Sequence, residues 1–130
     1  MLKITKTAEY ALIAIKHMSS MESICSSNNI ANQYNIPKEI MAKTLQKLSK
    51  KNYIKAIKGP KGGYFIKNSI KNINLIKFIE DIEGPVGIST CSKNEECYLI
   101  DCCNIKDPIN KINNNIKNIL SKVKLKDIAF

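Results

Sequence analysis

The chain has no arginine, no tryptophan and a single histidine, and only 11 of its 130 residues are acidic. Without arginine there is no guanidinium fork for phosphate or guanine edges, so anion recognition rests on lysine, a poorer geometric match. One histidine and the lack of any C-x-x-C pair exclude the zinc-ribbon and thioredoxin-like patterns. Long apolar runs are missing too, since no stretch reaches the roughly 18–20 residues of a membrane span. Residues Met1–Leu12 are interrupted by Lys3, Lys6 and Glu9, unlike a secretory signal. A soluble, cytoplasmic protein is expected. What is abundant is narrow: 23 Ile, 21 Lys and 15 Asn, a skew of the kind AT-rich codons produce. The length fits one domain, or one domain with a dimerisation arm, and such a domain folds without covalent staples.

Acidic residues are scarcest where lysine is densest. Residues 1–70 hold 12 lysines against Glu9, Glu22 and Glu39, whereas residues 71–130 hold 9 lysines against 8 acids. Residues 38–67 alone carry nine lysines and one glutamate. Codon bias loads both halves alike, so this asymmetry points to a polyanion-binding surface.

Apolar periodicity predicts a helix from Thr5 to Met18, a turn-like stretch over 19–26, and a short helix from Asn28 to Tyr34. Asn35 is a stop, and Pro37 suits the first turn of a further helix to Lys51. On that helix Ile40, Met41, Thr44, Leu45 and Leu48 share one face, while Glu39, Ala42, Lys43, Gln46, Lys47 and Lys50 fall on the other. Two short helices with a basic outer face on the second are a helix-turn-helix pattern. YIKAIK (53–58) and GYFIK (63–67) alternate as strands around GPKG (59–62), a hairpin with Pro60 in the second turn position and Gly62 in the left-handed one. The sum is a winged helix. The fold class is therefore mostly α with a small β-hairpin: a winged helix-turn-helix over 1–70, a linker helix (75–82) and cysteine loop over 71–104, and a long dimerisation helix and tail over 105–130. The last helix opens on Asp107 as cap and Pro108 as first residue. Ile105, Ile109, Ile112, Ile116, Ile119 and Val123 follow a heptad seam suited to a two-fold homodimer.

Four of five cysteines lie in CSKNEECYLIDCC (91–103). Cys91, Cys97 and Cys103 are spaced C-x5-C-x5-C, or C-x5-C-x4-C if Cys102 is the third. Three soft thiolates on one loop suit iron–sulfur or zinc. The surround of Glu95, Glu96 and Asp101 against Lys93 disfavours free thiolates, which argues for metal ligation over a nucleophilic thiol. Cys25 reads as a small buried hydrophobe.

The segments YALIAI (10–15), IANQYNIPKEIMAKTLQKLSKKNYIKAIKGPKGGY (30–64), DIEGP (81–85), the spaced cysteines and LKDI near the end resemble the Rrf-type winged-helix transcription regulators. The K-G-P-K-G-G-Y wing is the most specific part of this resemblance, which covers nearly the whole chain. It implies a non-enzymatic, homodimeric repressor or activator that binds palindromic double-stranded DNA. It also implies an iron–sulfur cluster, a 2Fe–2S centre ahead of a 4Fe–4S one, on Cys91, Cys97 and Cys103. One branch of the family adds a histidine three residues past the last cysteine, but Lys106 stands there. The nitric-oxide-sensing branch uses a carboxylate from the partner's first helix, and Glu9 occupies the matching position. His17, in the first helix, is expected to be structural.

The expected DNA contacts are Lys38, Glu39, Lys43, Gln46, Lys47 and Lys50 on the second helix and Lys58, Gly59, Pro60, Lys61, Gly62 and Tyr64 on the wing. Lysines supply affinity by neutralising phosphates, and Glu39, Lys43 and Gln46 read base edges. Ala42 stands where the resemblance puts an operator-discriminating glutamate in one branch. Two other readings stay open: a cluster-free regulator of the same fold using a thiol switch, zinc or a partner protein, and, remotely, a small thiol enzyme built on Cys102 and Cys103.

Overall fold

The structure is a computed structural model and describes residues 3–89, 91–93 and 96–130. Glu95 of the expected acidic surround lies outside the described residues.

Helix α1 (Lys6–Met21) starts where the Thr5 side chain accepts a hydrogen bond from the Ala8 amide. It runs three residues beyond Met18, through part of the stretch expected to turn, and stops at Glu22, which takes the left-handed conformation at φ 48°. Helix α2 (Ser27–Tyr34) is capped by Ser26, and Asn35 ends it at φ 53°, as its short polar side chain tolerates. Pro37 precedes α3 (Lys38–Lys50). The hairpin strands β1 (Ile54–Ile57) and β2 (Gly63–Ile66) pair antiparallel with Ile54 opposite Ile66 and Ile57 opposite Gly63. A 3-10 turn over Asn68–Asn72 leads into α4 (Leu75–Glu83), capped by Asn74 and closed by Gly84 at φ 88°.

Two local expectations change. The positive-φ glycine of the wing turn is Gly59, at 112°, and not Gly62. Gly62 is needed for space instead, because a Cβ there would sit 2.2 Å from the Ile57 carbonyl oxygen. Helix α5 (Lys106–Ser121) begins one residue before Asp107, with Ile105 at its cap position and no side-chain cap bond, so Asp107 and Pro108 lie inside the first turn. There Asp107 still opposes the helix dipole favourably.

The chain then returns. Helix α6 (Leu125–Ala129) buries Leu125 and Ala129 fully against the first module, with Asn74 and Lys124 bridging as a two-residue ladder. One core cluster holds Ala11, Ile15 and Met18 of α1, Met41, Leu45 and Leu48 of α3, Phe78 and Ile82 of α4, and Leu125 and Ala129 of α6. Alanines at 8, 11 and 14, all without exposure, let neighbouring elements approach α1 closely. The expected boundary at residue 70 therefore does not divide the core. Each fully buried Leu, Ile or Phe contributes about 1.5–3 kcal/mol, so α4 and α6 are structural members of the core formed with the helix pair.

Candidate nucleic-acid interface and cysteine loop

Helix α3 turns Met41, Thr44, Leu45 and Leu48 into the core, which forces Lys38, Glu39, Lys43, Gln46, Lys47 and Lys50 to the surface. Ile40 departs from its expected place: it is 43% exposed, at the edge of the buried face, and its carbonyl accepts the Thr44 hydroxyl at 2.8 Å. Ile40, Lys43, Thr44 and Lys47 line a groove of about 430 Å³ against Lys6, Thr7 and Tyr10 of α1. The Lys47 ammonium reaches back across the molecule and donates to the Ile82 carbonyl at 3.4 Å. Lys43 and Lys47 thus face α1 as well as solvent.

The wing tip is open. Lys58, Gly59, Pro60 and Lys61 are exposed, and Gly62 and Tyr64 are half-buried. The Gly62 amide donates to the Gly59 carbonyl at 3.0 Å, closing the turn around Pro60 and Lys61. Tyr64 is held by its backbone: Cys25 donates to its carbonyl at 2.9 Å and accepts its amide at 2.8 Å. Sequence reasoning missed this isolated bridge, although Gly63 signals a close backbone approach. A Cβ on Gly63 would lie 2.6 Å from the Cys25 carbonyl oxygen. Cys25 is buried as expected, and burial pushes its thiol up from the ordinary range, which keeps it protonated and inert.

Among the described residues the ion pairs are Lys6–Glu9, Lys77–Asp81 and Lys117–Glu80. None uses a lysine of α3 or the hairpin. The exposed ammonium groups of α3 and the hairpin are thus free of ion pairs among the described residues, the condition for attracting a polyanion.

In the cysteine loop Cys91, Cys97 and Cys103 are half-buried, Cys102 is exposed, and all are free thiols. The first part of the loop is fastened to α5: Asn113, itself buried, accepts the Ile88 amide at 3.2 Å, and Ser92 bonds Asn110 at 3.2 Å. Ser89 and Cys91 lie 3.3 Å apart through their Oγ and Sγ atoms. Residues 97–102 wind into successive turns, with Ile100 bonded to the Cys97 carbonyl and Cys102 to that of Leu99. A donor set of three soft thiols suits an iron–sulfur centre. Among the described residues, however, no three His, Cys, Asp or Glu side chains converge as ligands, so holding a cluster requires the loop to draw its thiols together. Glu9 is paired with Lys6 at 3.0 Å in the first turn of α1. His17 bonds the Tyr34 hydroxyl through Nδ1 at 3.0 Å, a structural role.

A further pair was not anticipated. The Tyr53 hydroxyl, on a ring 1% exposed, donates to Asp81 at 2.6 Å, and Lys77 donates to the same carboxylate oxygen at 2.8 Å. Burial alone would raise the Asp81 pKa, but the Lys77 and Tyr53 hydrogen bonds prevail and hold it below its ordinary value.

Residues 4–130 match the family model Rrf2, described as iron-dependent transcriptional regulator. The chain is 26% identical over 133 residues to the HTH-type transcriptional regulator NsrR of Bacillus licheniformis, covering 99% of this chain and 93% of that protein. Its fold is similar to that of CymR, the global cysteine regulator of B. subtilis, with a TM-score of 0.74 at 24% identity over 99% of this chain and 97% of that one. It is also similar to IscR of T. potens, with a TM-score of 0.71 at 20% identity over 97% and 85% of the respective chains. The mostly helical fold with its two-strand antiparallel hairpin matches that of winged-helix regulators such as CymR and IscR.

Proposed function

The chain belongs to the Rrf2 family of transcriptional regulators, and on that premise we propose that it binds palindromic operator DNA as a homodimer whose affinity is set by an iron–sulfur cluster on Cys91, Cys97 and Cys103. The observation that carries the DNA reading is the exposed, unpaired lysine set of α3 beside an open hairpin tip. Lys38, Lys43, Lys47, Lys50, Lys58 and Lys61 neutralise phosphates, and Glu39, Lys43 and Gln46 face base edges. Two copies are needed to place two such faces about one helical turn apart. The isoleucine row of α5 supports that pairing, since Ile105, Ile112 and Ile119 are 57, 49 and 65% exposed in the single chain. Exposed β-branched side chains repeating every seven residues follow the seam pattern of paired helices.

The donor chemistry of Cys91, Cys97 and Cys103 supports the cluster, with Cys102 as an exposed spare and Glu9 of the partner subunit as the carboxylate ligand. When bound, such a cluster supplies a centre sensitive to oxidants, nitric oxide and iron supply. The chain's own part is mechanical: residues 84–89 are fastened to α4 and α5, so the set of the loop bears on the dimer helix. Affinity for operator and the state of the loop are then linked reciprocally.

Protein purified without oxygen, with iron and sulfide counted and its visible spectrum recorded, tests the reading. Cys91→Ala, Cys97→Ala and Cys103→Ala are each expected to abolish the visible absorbance, and full cluster in all three variants refutes the assignment. The exposed Cys102 beside half-buried Cys103 favours one other reading, a cluster-free thiol switch on the same fold. Iron-free protein whose DNA affinity changes with thiol oxidation selects it.

A further inference from the structure

The last turn of α4, residues 80–83, belongs to neither the DNA face nor the cysteine set, yet it touches Tyr53 and Lys47 on one side and the entrance of the cysteine loop on the other. Successive residues on a helix point about 100° apart, so four in a row sweep its circumference. The last turn of α4 uses all four. Glu80 forms an ion pair with Lys117 of α5 at 3.3 Å through one oxygen and accepts from the Val86 amide, at the loop entrance, at 3.4 Å through the other. Asp81 holds the Tyr53 hydroxyl at 2.6 Å. The Ile82 carbonyl accepts from Lys47 of α3. Glu83 accepts the hydroxyl of Thr5, the cap of α1.

Tyr53 makes this more than a tether. Its amide donates to the Leu48 carbonyl at 2.9 Å, ending α3, and its own carbonyl accepts the Lys67 amide at 3.4 Å, where the hairpin leaves. Its ring stands edge-on to Phe78 of α4 at 5.1 Å. Through its backbone this one residue therefore joins the end of α3 to the root of the wing, and the Asp81 carboxylate and the Phe78 ring hold its side chain.

We infer that the last turn of α4 is the positioning element that joins DNA reading to the cysteine loop, Asp81 holding the α3–wing junction and Glu80 the loop entrance and α5. The inference rests on the DNA-binding reading above. A displacement of the loop entrance reaches Glu80, and the rigid turn carries it to Asp81 and the wing roots. By reciprocity, DNA on α3 and the wing steadies the Val86 and Ile88 amides.

Amide hydrogen exchange of the full chain tests it, with and without a duplex that the protein itself selects from a random-sequence pool. Saturating duplex is expected to slow exchange over residues 84–89 by about five-fold or more, the lower end of an ordinary coupling between sites. Tyr53→Phe, which removes one hydroxyl, and Asp81→Asn are each expected to bring that change below about two-fold, while the duplex still protects residues 58–62. A merely structural role for Asp81 would lower overall protection and leave the duplex-induced ratio intact. Retention of the wild-type ratio in both variants, or no response over 84–89 in the wild type, overturns the inference. A pool from which the protein enriches no sequence removes the DNA-binding reading itself, and the inference with it.

Discussion

Cys25 and Tyr64 exchange both backbone hydrogen bonds, at 2.9 and 2.8 Å, and this single bridge anchors the wing to the connection between α1 and α2. The hairpin is consequently tied by backbone to the helix pair as well as by sequence. Gly63 makes it possible, since any side chain there meets the Cys25 carbonyl.

Gly63→Ala is expected to destabilise the fold by about 1–3 kcal/mol, the range of overpacking in a closed site. Gly59→Ala, in open space but at φ 112°, carries backbone strain alone. Urea denaturation compares the two. Only the first is expected to speed amide exchange at Cys25, and equal exchange there in both variants contradicts the anchoring role.

Truncating Lys43, Lys58 or Lys61 to Ala lowers duplex affinity and flattens its salt dependence. Each phosphate contact contributes a slope of about 0.9, so loss of one per subunit removes about 1.8 from a dimer. Affinity titrations at several salt concentrations read this directly. An unchanged slope places the lysine off the DNA.

The Asp81 carboxyl is held below its ordinary value in the folded chain, so it binds fewer protons than in the unfolded one. Its contribution is complete above the unfolded pKa of about 3.9 and is lost as pH falls through the lower folded value. Asp81→Asn therefore weakens the protein at neutral pH, and its deficit shrinks as the solution becomes strongly acidic. Tyr53 works at the other end: burial, and then the Asp81 contact, push its hydroxyl well up. Stability consequently declines as pH rises past about 10, the unfolded tyrosine value. Denaturation across pH, with Tyr53→Phe as the second variant, checks both limbs. A deficit in Asp81→Asn that does not change with pH counts against the ionised pair.

Ile112→Lys is expected to leave the single chain folded, because that side chain is 49% exposed, and to halve the mass in sedimentation at micromolar protein. A dimer that survives Ile112→Lys and Ile119→Lys together is held by another surface.

The winged helix was legible because its signals are local. Asn35, Pro37 and the K-G-P-K-G-G-Y turn each dictate backbone geometry within a few residues. The exposed lysines of α3 were legible from the 3.6-residue period, which separates faces but does not measure width, and so Ile40 was assigned to the wrong one. Long-range pairings escaped. Nothing in a single sequence places Tyr53 on Asp81, 28 positions away, or seats Leu125 beneath α1. The extra turn of α1 escaped for another reason: the serine pair reads as a turn, yet the hydroxyls of Ser19 and Ser20 donate back to the Lys16 and His17 carbonyls within the helix, and Ser19 also reaches the Ala129 carbonyl.

Because α6 closes over α1, the lever formed by α4, the loop and α5 is hinged at both ends on the same body. Leu75 donates to the Val123 carbonyl and Leu125 to that of Ile73, so outgoing and incoming strands of chain are stitched side by side where the arm begins. An arm rooted this way has two chain crossings at its base and not one. A fragment cut after residue 72 would be an unlidded remnant with an oily gap, and a working reader module cannot be obtained by trimming this protein from its far end.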